Sequence, residues 1–204
     1  EGRVGIPMPA TWEATYEKLS KVDQQEIRDR ADQLAIIFGD QRVFPKMRNL
    51  LGDAEQETER RRQALDVLVR GRDKAAADVL LSDSVLGNSD LRGPAVRALA
   101  SLGDDRVPKV LLPKYPALDA ETRRDVIGTL VGRPNWTAEL LKAIGAGKVP
   151  SSDLHAFHVR QIQAFNNDDL LVVAHDLARD WRNVQGVGEQ QGDDQEQGGV
   201  RSGH

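Results

Sequence analysis

Apolar residues recur every three or four positions along most of the chain, in stretches of about ten to sixteen residues that stop at Gly, Asp, Asn or Pro. The first stretch extends from Asp23 to Phe38, with Asp23 and Glu26 as a capping-box variant and Gly39 as a left-handed stop. Its apolar stripe consists of Ile27, Ala31, Leu34, Ala35 and Phe38. This spacing predicts an amphipathic helix that buries the stripe.

The same period predicts six further helices, at 55–70, 90–102, 119–131, 135–144, 152–165 and 168–183. The 55–70 helix has its stripe on Ala64, Leu65, Leu68 and Val69. It stops at Gly71, and the 119–131 helix stops at Gly132. No stretch alternates apolar and polar residues long enough to predict a strand. The chain is therefore predicted to be all-α.

The helix stops are regularly spaced. Gly39, Gly71 and Gly103 lie 32 residues apart, Gly132 follows after 29, and segment 38–43 (FGDQRV) resembles 102–107 (LGDDRV). A unit of this length holds two helices, and such a hairpin buries its apolar face only by stacking on neighbours. The spacing predicts an α-solenoid of HEAT-like antiparallel helix pairs. The alternative is an irregular bundle with coincidental stops, since only the first and third units share more than the glycine.

Composition divides the chain into three parts. Residues 1–10 are rich in Pro and Gly and predict an extended arm, and residues 11–183 form the predicted helical-repeat domain. Residues 184–204 are rich in Gly, Gln and acids and predict a disordered tail, because they cannot bury enough apolar surface to offset the entropy of ordering.

The 204 residues include no cysteine, which excludes disulfides, thiolate catalysis, cysteine-ligated zinc, iron–sulfur clusters and covalently attached c-type haem. With 28 Lys and Arg against 32 Asp and Glu, the net charge is -4, which argues against a protein that binds nucleic acid by neutralising phosphates. No apolar run approaches the roughly 20 residues of a membrane span. We therefore expect no nucleic-acid partner and no membrane insertion.

Histidines offer the best argument for a metal site. His155 and His158 lie three residues apart, and His175 and Asp153 complete a possible ligand set. The other interpretation, which we favour, makes His158 a hydrogen-bonded core or boundary imidazole. It lies four residues after Leu154 and four before Ile162, on the stripe that also carries Phe157 and Phe165. His204 lies in the predicted tail. We therefore expect no bound transition metal, and likewise no haem or flavin.

Charge runs and tryptophans have a structural interpretation and a functional one. Arginines 60–62 follow three glutamates, and arginines 123–124 lie among acids, which favours salt-bridged helix surfaces over anion sites. Trp136 and Trp181 have apolar helical neighbours and predict core anchors, with a partner-facing role as the alternative. Ser and Thr lack a recognisable His and Asp partnership, and no phosphate-binding loop follows a strand. The sequence therefore predicts no catalytic, cofactor-binding or metal-binding residue.

The C-terminal third resembles a known family. The matching pieces are 133–136 (RPNW), 140–144 (LLKAI), 147–150 (GKVP), 153–154 (DL) and 156–162 (AFHVRQI). They look like the helical segment of large secreted haem-binding proteins of the Planctomycetes–Verrucomicrobia type, often labelled membrane-bound dehydrogenases. Further similarity, around Trp12 and Tyr16, at 38–40 and at 90–100, extends the resemblance over roughly residues 10–183.

The resemblance implies a HEAT-like region between a sugar-dehydrogenase-type β-propeller and a c-type cytochrome domain. The family's redox centre is a Cys-x-x-Cys-His motif with a distal Met, but this chain has no cysteine, and Met8 and Met47 lie in the wrong half. Where the family continues from a Trp-Gly pair, this chain has Trp181 and Arg182. No active residue of the family carries over. The chain is expected to be a piece of a longer protein or a relative that kept only the scaffold.

The sequence therefore predicts a non-catalytic helical scaffold that positions or docks protein domains of propeller or cytochrome c type. If the resemblance holds, it is periplasmic or secreted. The alternative is a HEAT-like nucleic-acid-binding protein, such as a DNA glycosylase, which needs Lys and Arg clustered on one concave face. A third possibility is an inert spacer.

Overall fold

A computed structural model describes residues 7–167, 170, 172 and 173. These residues form eleven α-helices and four short 3₁₀ helices, with no strand among them, which confirms the all-α prediction. The α-helices are α1 (Trp12–Leu19), α2 (Gln25–Phe38), α3 (Phe44–Gly52), α4 (Thr58–Arg70), α5 (Ala77–Leu80), α6 (Asp83–Leu86), α7 (Ser89–Leu102), α8 (Val107–Lys114), α9 (Ala120–Leu130), α10 (Pro134–Gly145) and α11 (Ala156–Gln163). The 3₁₀ helices are Gln41–Val43, Lys74–Ala76, Tyr115–Ala117 and Ser151–Asp153.

The chain divides into two compact units, Glu1–Asp104 and Asp105–His204. In the first unit α3 packs closely against α4, and α7 packs against α4, α5 and α6. In the second unit α10 packs against α8 and α9. The predicted tail, 184–204, and most of the predicted 168–183 helix lie outside the described residues.

Helix α1 is attached to the first unit by its aromatic side chains. The indole Nε1 of Trp12 donates to Oδ2 of Asp40 at 2.9 Å, and the hydroxyl of Tyr16 donates to Oδ1 of Asp32 at 2.9 Å. The Trp12 ring also meets Phe38 edge-on, with 4.9 Å between the ring centroids. Both carboxylates are buried, and each is therefore hydrogen-bonded as burial demands.

Four helices, α2, α4, α7 and α9, share one register. Their N-cap residues are Gln24, Glu57, Asn88 and Asp119, at intervals of 33, 31 and 31 residues. Seven positions further on, the buried residues are Ala31, Ala64, Ala95 and Val126, and eleven positions on they are Ala35, Leu68, Leu99 and Leu130. The same pattern of burial thus recurs in these four helices at intervals of 31 to 33 residues.

An arginine occupies the fourth position after each N-cap and binds backbone oxygen of the preceding segment. The bonds join Arg28 Nη1 to Asp23 O at 2.8 Å, Arg61 Nε to Leu51 O at 2.9 Å, Arg92 Nε to Leu86 O at 2.6 Å and Arg123 Nη2 to Pro116 O at 2.8 Å. Carbonyl groups at the end of a helix have no partner inside that helix. Leu51 and Leu86 lie at such helix ends, so the arginine supplies a partner there, and in all four cases it ties the helix to the segment before it.

The glycine spacing predicts these helix ends only in part. Gly39 and Gly103 are left-handed C-caps with φ of 68° and 73°, as predicted. At the second stop the left-handed residue is Arg72, with φ of 52°, whereas Gly71 has an ordinary φ of -75°. Helix α9 ends at Leu130 with Val131 as its C-cap, so Gly132 is not the predicted stop. The glycine spacing was therefore wrong as a count of helix stops, although the N-caps of α2, α4, α7 and α9 recur at a similar interval.

Gly71 is needed for a different reason. A Cβ at this position would lie 2.3 Å from Cζ of Phe44, so the ring of Phe44 occupies the space that a side chain would take. The requirement comes from the packing of α3 against the end of α4, which brings together Phe44 and Gly71, two residues 27 positions apart. Periodicity within one helix carries no information about such a contact.

Several details of the predicted helices are also wrong. Gln24, and not Asp23, is the N-cap of α2, and its side chain makes no capping bond. Ile27 and Leu34 were predicted to be buried but are 38% and 41% exposed, because the buried side of α2 is confined to Ala31, Asp32 and Ala35. Val69 on α4 is likewise exposed.

Candidate functional site

The second unit has a groove of about 760 Å³. The end of α8, the 3₁₀ helix Tyr115–Ala117, α10 and the loop after α10 form its walls. Its lining is Leu112, Pro113, Tyr115, Pro116, Arg123, Glu139, Lys142, Ala143, Ala146, Gly147, Lys148 and Pro150. A volume of this size lies in the range of about 300–1,000 Å³ that is usual for ligand sites.

The apolar part of the groove is built by prolines on both sides of one tyrosine. Pro113, inside α8, and Pro116, in the 3₁₀ helix Tyr115–Ala117, cannot donate a backbone hydrogen bond. Tyr115 between them is fully buried, and its hydroxyl donates to Oδ2 of Asp153 at 2.7 Å. Burial first, and the bond to Asp153 second, raise the pKa of Tyr115 well above its ordinary value. The ring is therefore a neutral, fixed part of the wall.

Arg123 is held in place by this tyrosine. Its guanidinium carbon lies 5.5 Å from the centroid of the Tyr115 ring, and its Nη2 donates to the Pro116 oxygen at 2.8 Å. Its Nε atom is buried and has no hydrogen-bond partner. Two contacts thus fix a cationic side chain in the groove wall before any ligand is present, and one of its donors remains unused.

Two lysines complete the charged lining. Lys142 pairs with Glu139 at 2.8 Å, with both side chains well exposed. Lys148 follows Gly147, whose φ of 70° turns the chain after α10, and within the described residues Lys148 forms no ion pair. The lining therefore has three cationic groups and one carboxylate, although the whole chain has a net charge of -4.

A smaller cavity of about 250 Å³ shares Tyr115 and Arg123 with the groove. Arg124, Asp153 and His155 also line it. The Asp153 carboxylate already accepts the Tyr115 hydroxyl, so part of its hydrogen-bonding capacity is used. This cavity extends the cationic surface beyond the groove, from α9 toward the start of α11.

His155 and His158 lie next to each other at the start of α11. Their rings are stacked with centroids 5.8 Å apart, and the backbone N–H of His155 donates to Nδ1 of His158 at 3.1 Å. His158 is 2% exposed, and burial, with a smaller contribution from His155, lowers its pKa to about 4. His158 is thus a buried imidazole, as predicted. Phe157, predicted on the same stripe, is 54% exposed, because α11 is only Ala156–Gln163 and buries His158, Val159 and Ile162.

The alternative metal set is not assembled within the described part of the chain. Nδ1 of His158 is occupied by a backbone donor, and His175 lies outside the described residues. No group of three or more His, Asp or Glu side chains suited to a metal ion occurs among the residues that the structure describes.

The predicted salt-bridged surfaces were wrong for one arginine of each run. Arg61 is 3% exposed and donates to the backbone oxygens of Leu51 and Ser84, and Arg123 lines the groove. Both are the recurring arginine of the shared helix register. The three glutamates that precede this run favour ion pairs on the helix surface. Arg61 forms none of these pairs, because neighbouring segments bury it.

Trp136 is a core anchor, as predicted: it is 1% exposed, and the guanidinium carbon of Arg133 lies 5.1 Å from the centroid of its ring. Trp181 lies outside the described residues.

The groove was not predicted from the sequence. Its one visible sign was Tyr115, one of the two tyrosines of the chain, which lies between Pro113 and Pro116.

No protein-family model matches the chain, and no curated protein matches it at a significant level. In the part that the structure describes, every helix is too short or too polar to cross a membrane.

Proposed function

We propose that this chain is a non-catalytic helical-repeat scaffold that docks a segment of another protein in the groove between α8 and α10. The observation that carries the proposal is the groove itself: it has a volume of about 760 Å³ and a partly apolar wall, and Tyr115 and the Pro116 oxygen already fix an arginine in it. A preorganised side chain loses little freedom when a ligand binds, which favours affinity.

The repeated register supports a HEAT-like solenoid as the scaffold. Four helices at intervals of 31 to 33 residues share three features at equivalent positions. These are an arginine four residues after the N-cap and buried residues seven and eleven residues after it. Stacked hairpins of this kind keep a defined distance between attached domains, unlike a flexible linker. The resemblance to the helical region of haem-binding dehydrogenases suggests propeller and cytochrome c domains as the partners.

Small-angle scattering tests the solenoid. A compact bundle of residues 11–183 would have a radius of gyration of about 16 Å, because this quantity depends mainly on chain length in compact proteins. A stacked superhelix is longer and should exceed that value clearly. A measured value at the compact limit would contradict the solenoid and leave the groove proposal intact.

Docking is tested with purified β-propeller and c-type cytochrome domains of the family that the chain resembles, immobilised for biolayer interferometry. Ala146→Trp should fill the groove and weaken binding at least about tenfold, a loss of about 1.4 kcal/mol. Ala54→Trp, at an exposed position in the first unit, is the matched control and should bind like the unmodified chain. Equal binding by both variants would exclude the groove. Turnover of a sugar or alcohol by repurified chain would contradict a non-catalytic role.

A further inference from the structure

We infer that the groove binds an extended peptide segment that combines acidic and apolar side chains. The inference rests on the proposed docking function and names the chemistry of the docked segment. It follows from three features of the lining: a fixed cation, a surplus of positive charge, and an apolar wall. The apolar wall favours a ligand that also carries apolar side chains.

The apolar features come first. Leu112, Pro113, Pro116, Ala143 and Pro150 contribute carbon surface to the lining. Two of the prolines flank the buried Tyr115, so this wall has few backbone donors with which to satisfy a polar ligand. Apolar side chains of a ligand would gain free energy there by leaving water.

The charge of the lining then selects the sign of the ligand. Glu139 compensates Lys142, which leaves Arg123 and Lys148 without a carboxylate partner among the described residues. Arg124 borders the adjoining cavity and likewise forms no ion pair in the described part of the chain. A ligand carboxylate would complement these groups, whereas a basic ligand would be repelled. The acidic chain as a whole has no such surplus, so the attraction is local.

The shape of the site favours a peptide. The groove and the smaller cavity share two wall residues, Tyr115 and Arg123, so they lie side by side. An extended segment places successive side chains on opposite sides, so it presents apolar and acidic groups to different walls at once. Recognition of acidic motifs by arginine and lysine clusters is a common mode of peptide binding. A lone small anion would leave the apolar wall empty.

Two immobilised hexapeptide arrays test the inference with the full chain. One array fixes glutamate at alternate positions and varies apolar residues at the others, and the second replaces the glutamates by lysine. We expect binding to the glutamate array and at least about tenfold weaker binding to the lysine array, with affinity falling as salt is raised. Absence of binding to the glutamate array, or equal binding to both, would overturn the inference.

The strongest glutamate peptide is then measured by fluorescence anisotropy against two charge-reversal variants. Lys148→Glu should raise Kd at least about tenfold, and Lys109→Glu, an exposed lysine on α8 outside the lining, should change Kd by less than about twofold. An equal rise in Kd for the two variants would show that the peptide is attracted by net charge alone and would overturn the inference. A single-stranded oligonucleotide that competes as well as the unlabelled peptide would also overturn it.

The two proposals fail separately. A chain that docks propeller or cytochrome domains through the groove but ignores the glutamate array retains the proposed function and loses this inference. A chain that binds the array, with the expected response to Lys148→Glu, supports the inference even if those particular domains are not its partners.

Discussion

Nε of Arg61 on α4 donates to the backbone oxygen of Leu51 on α3 at 2.9 Å, and Nη2 of the same side chain reaches the Ser84 oxygen at 2.8 Å. One buried guanidinium thus joins three helices of the first unit. Leu51 lies in the last turn of α3, where carbonyl groups lack partners within the helix.

Arg61→Leu should therefore destabilise the first unit by about 2 to 4 kcal/mol, because two buried carbonyl groups lose charged donors. Arg62→Leu is the matched control, since Arg62 is exposed and adjacent, and should change the free energy of unfolding by less than about 0.5 kcal/mol. Urea unfolding measures both. Similar values for the two variants would mean that the carbonyl bonds contribute little.

Two glycines should respond oppositely to alanine. Gly71→Ala would bring Cβ to 2.3 Å from the Phe44 ring and should cost about 1 to 3 kcal/mol. Gly128→Ala lies within α9, where nothing approaches the new Cβ within 4 Å, and should stabilise the chain by about 0.5 to 1 kcal/mol through higher helix propensity. Thermal unfolding followed by circular dichroism compares them. A neutral Gly71→Ala would show that the Phe44 ring moves freely.

Acid should destabilise the second unit through His158. Its pKa is about 4 in the folded chain against the ordinary 6.5, so the unfolded chain binds the proton first as pH falls. The contribution of His158 to stability is complete above pH 6.5 and is lost progressively between about 6.5 and 4, by at most about 3 kcal/mol. An NMR titration of the His158 ring should find a midpoint near 4.

The control for this pH dependence is His158→Gln, which cannot titrate. The free energy of unfolding of this variant should fall less steeply than that of the unmodified chain over the same range. Identical slopes, or a His158 midpoint near the ordinary value, would contradict a buried neutral imidazole.

Trp12→Phe should loosen α1 selectively. The substitution removes the bond from Nε1 to Asp40 while keeping an aromatic ring against Phe38, and Asp40 still accepts from Arg42. We expect a loss of about 1 kcal/mol, the usual net value of one hydrogen bond. Hydrogen exchange should accelerate within Trp12–Leu19 and remain unchanged in α4. Uniform acceleration throughout the first unit would contradict this local role. Lys18→Ala, at an exposed site on α1, should have no comparable effect.

The amino-acid sequence by itself determined the helical character of the chain. Spacing of three and four, with strong helix stops at Gly39 and Gly103, specifies helices because each residue's preference is expressed within a few neighbours. The buried position of His158 followed in part, since it lies four residues before the buried Ile162 on α11, although Leu154 precedes that helix. The 32-residue glycine interval also lies close to the 31 to 33 residues between the N-caps of α2, α4, α7 and α9.

Tertiary structure alone decided the surroundings of residues whose burial no local pattern reveals. Arg61 looks like one of three surface arginines until α3 and α6 enclose it, Gly71 looks like a helix stop until the Phe44 ring is placed against it, and Leu34 looks buried until its side of α2 is left exposed. The groove arises in the same way. Tyr115, Arg123 and Lys148 are far apart for any local preference, and they meet only because packing brings α8, α9 and the end of α10 together.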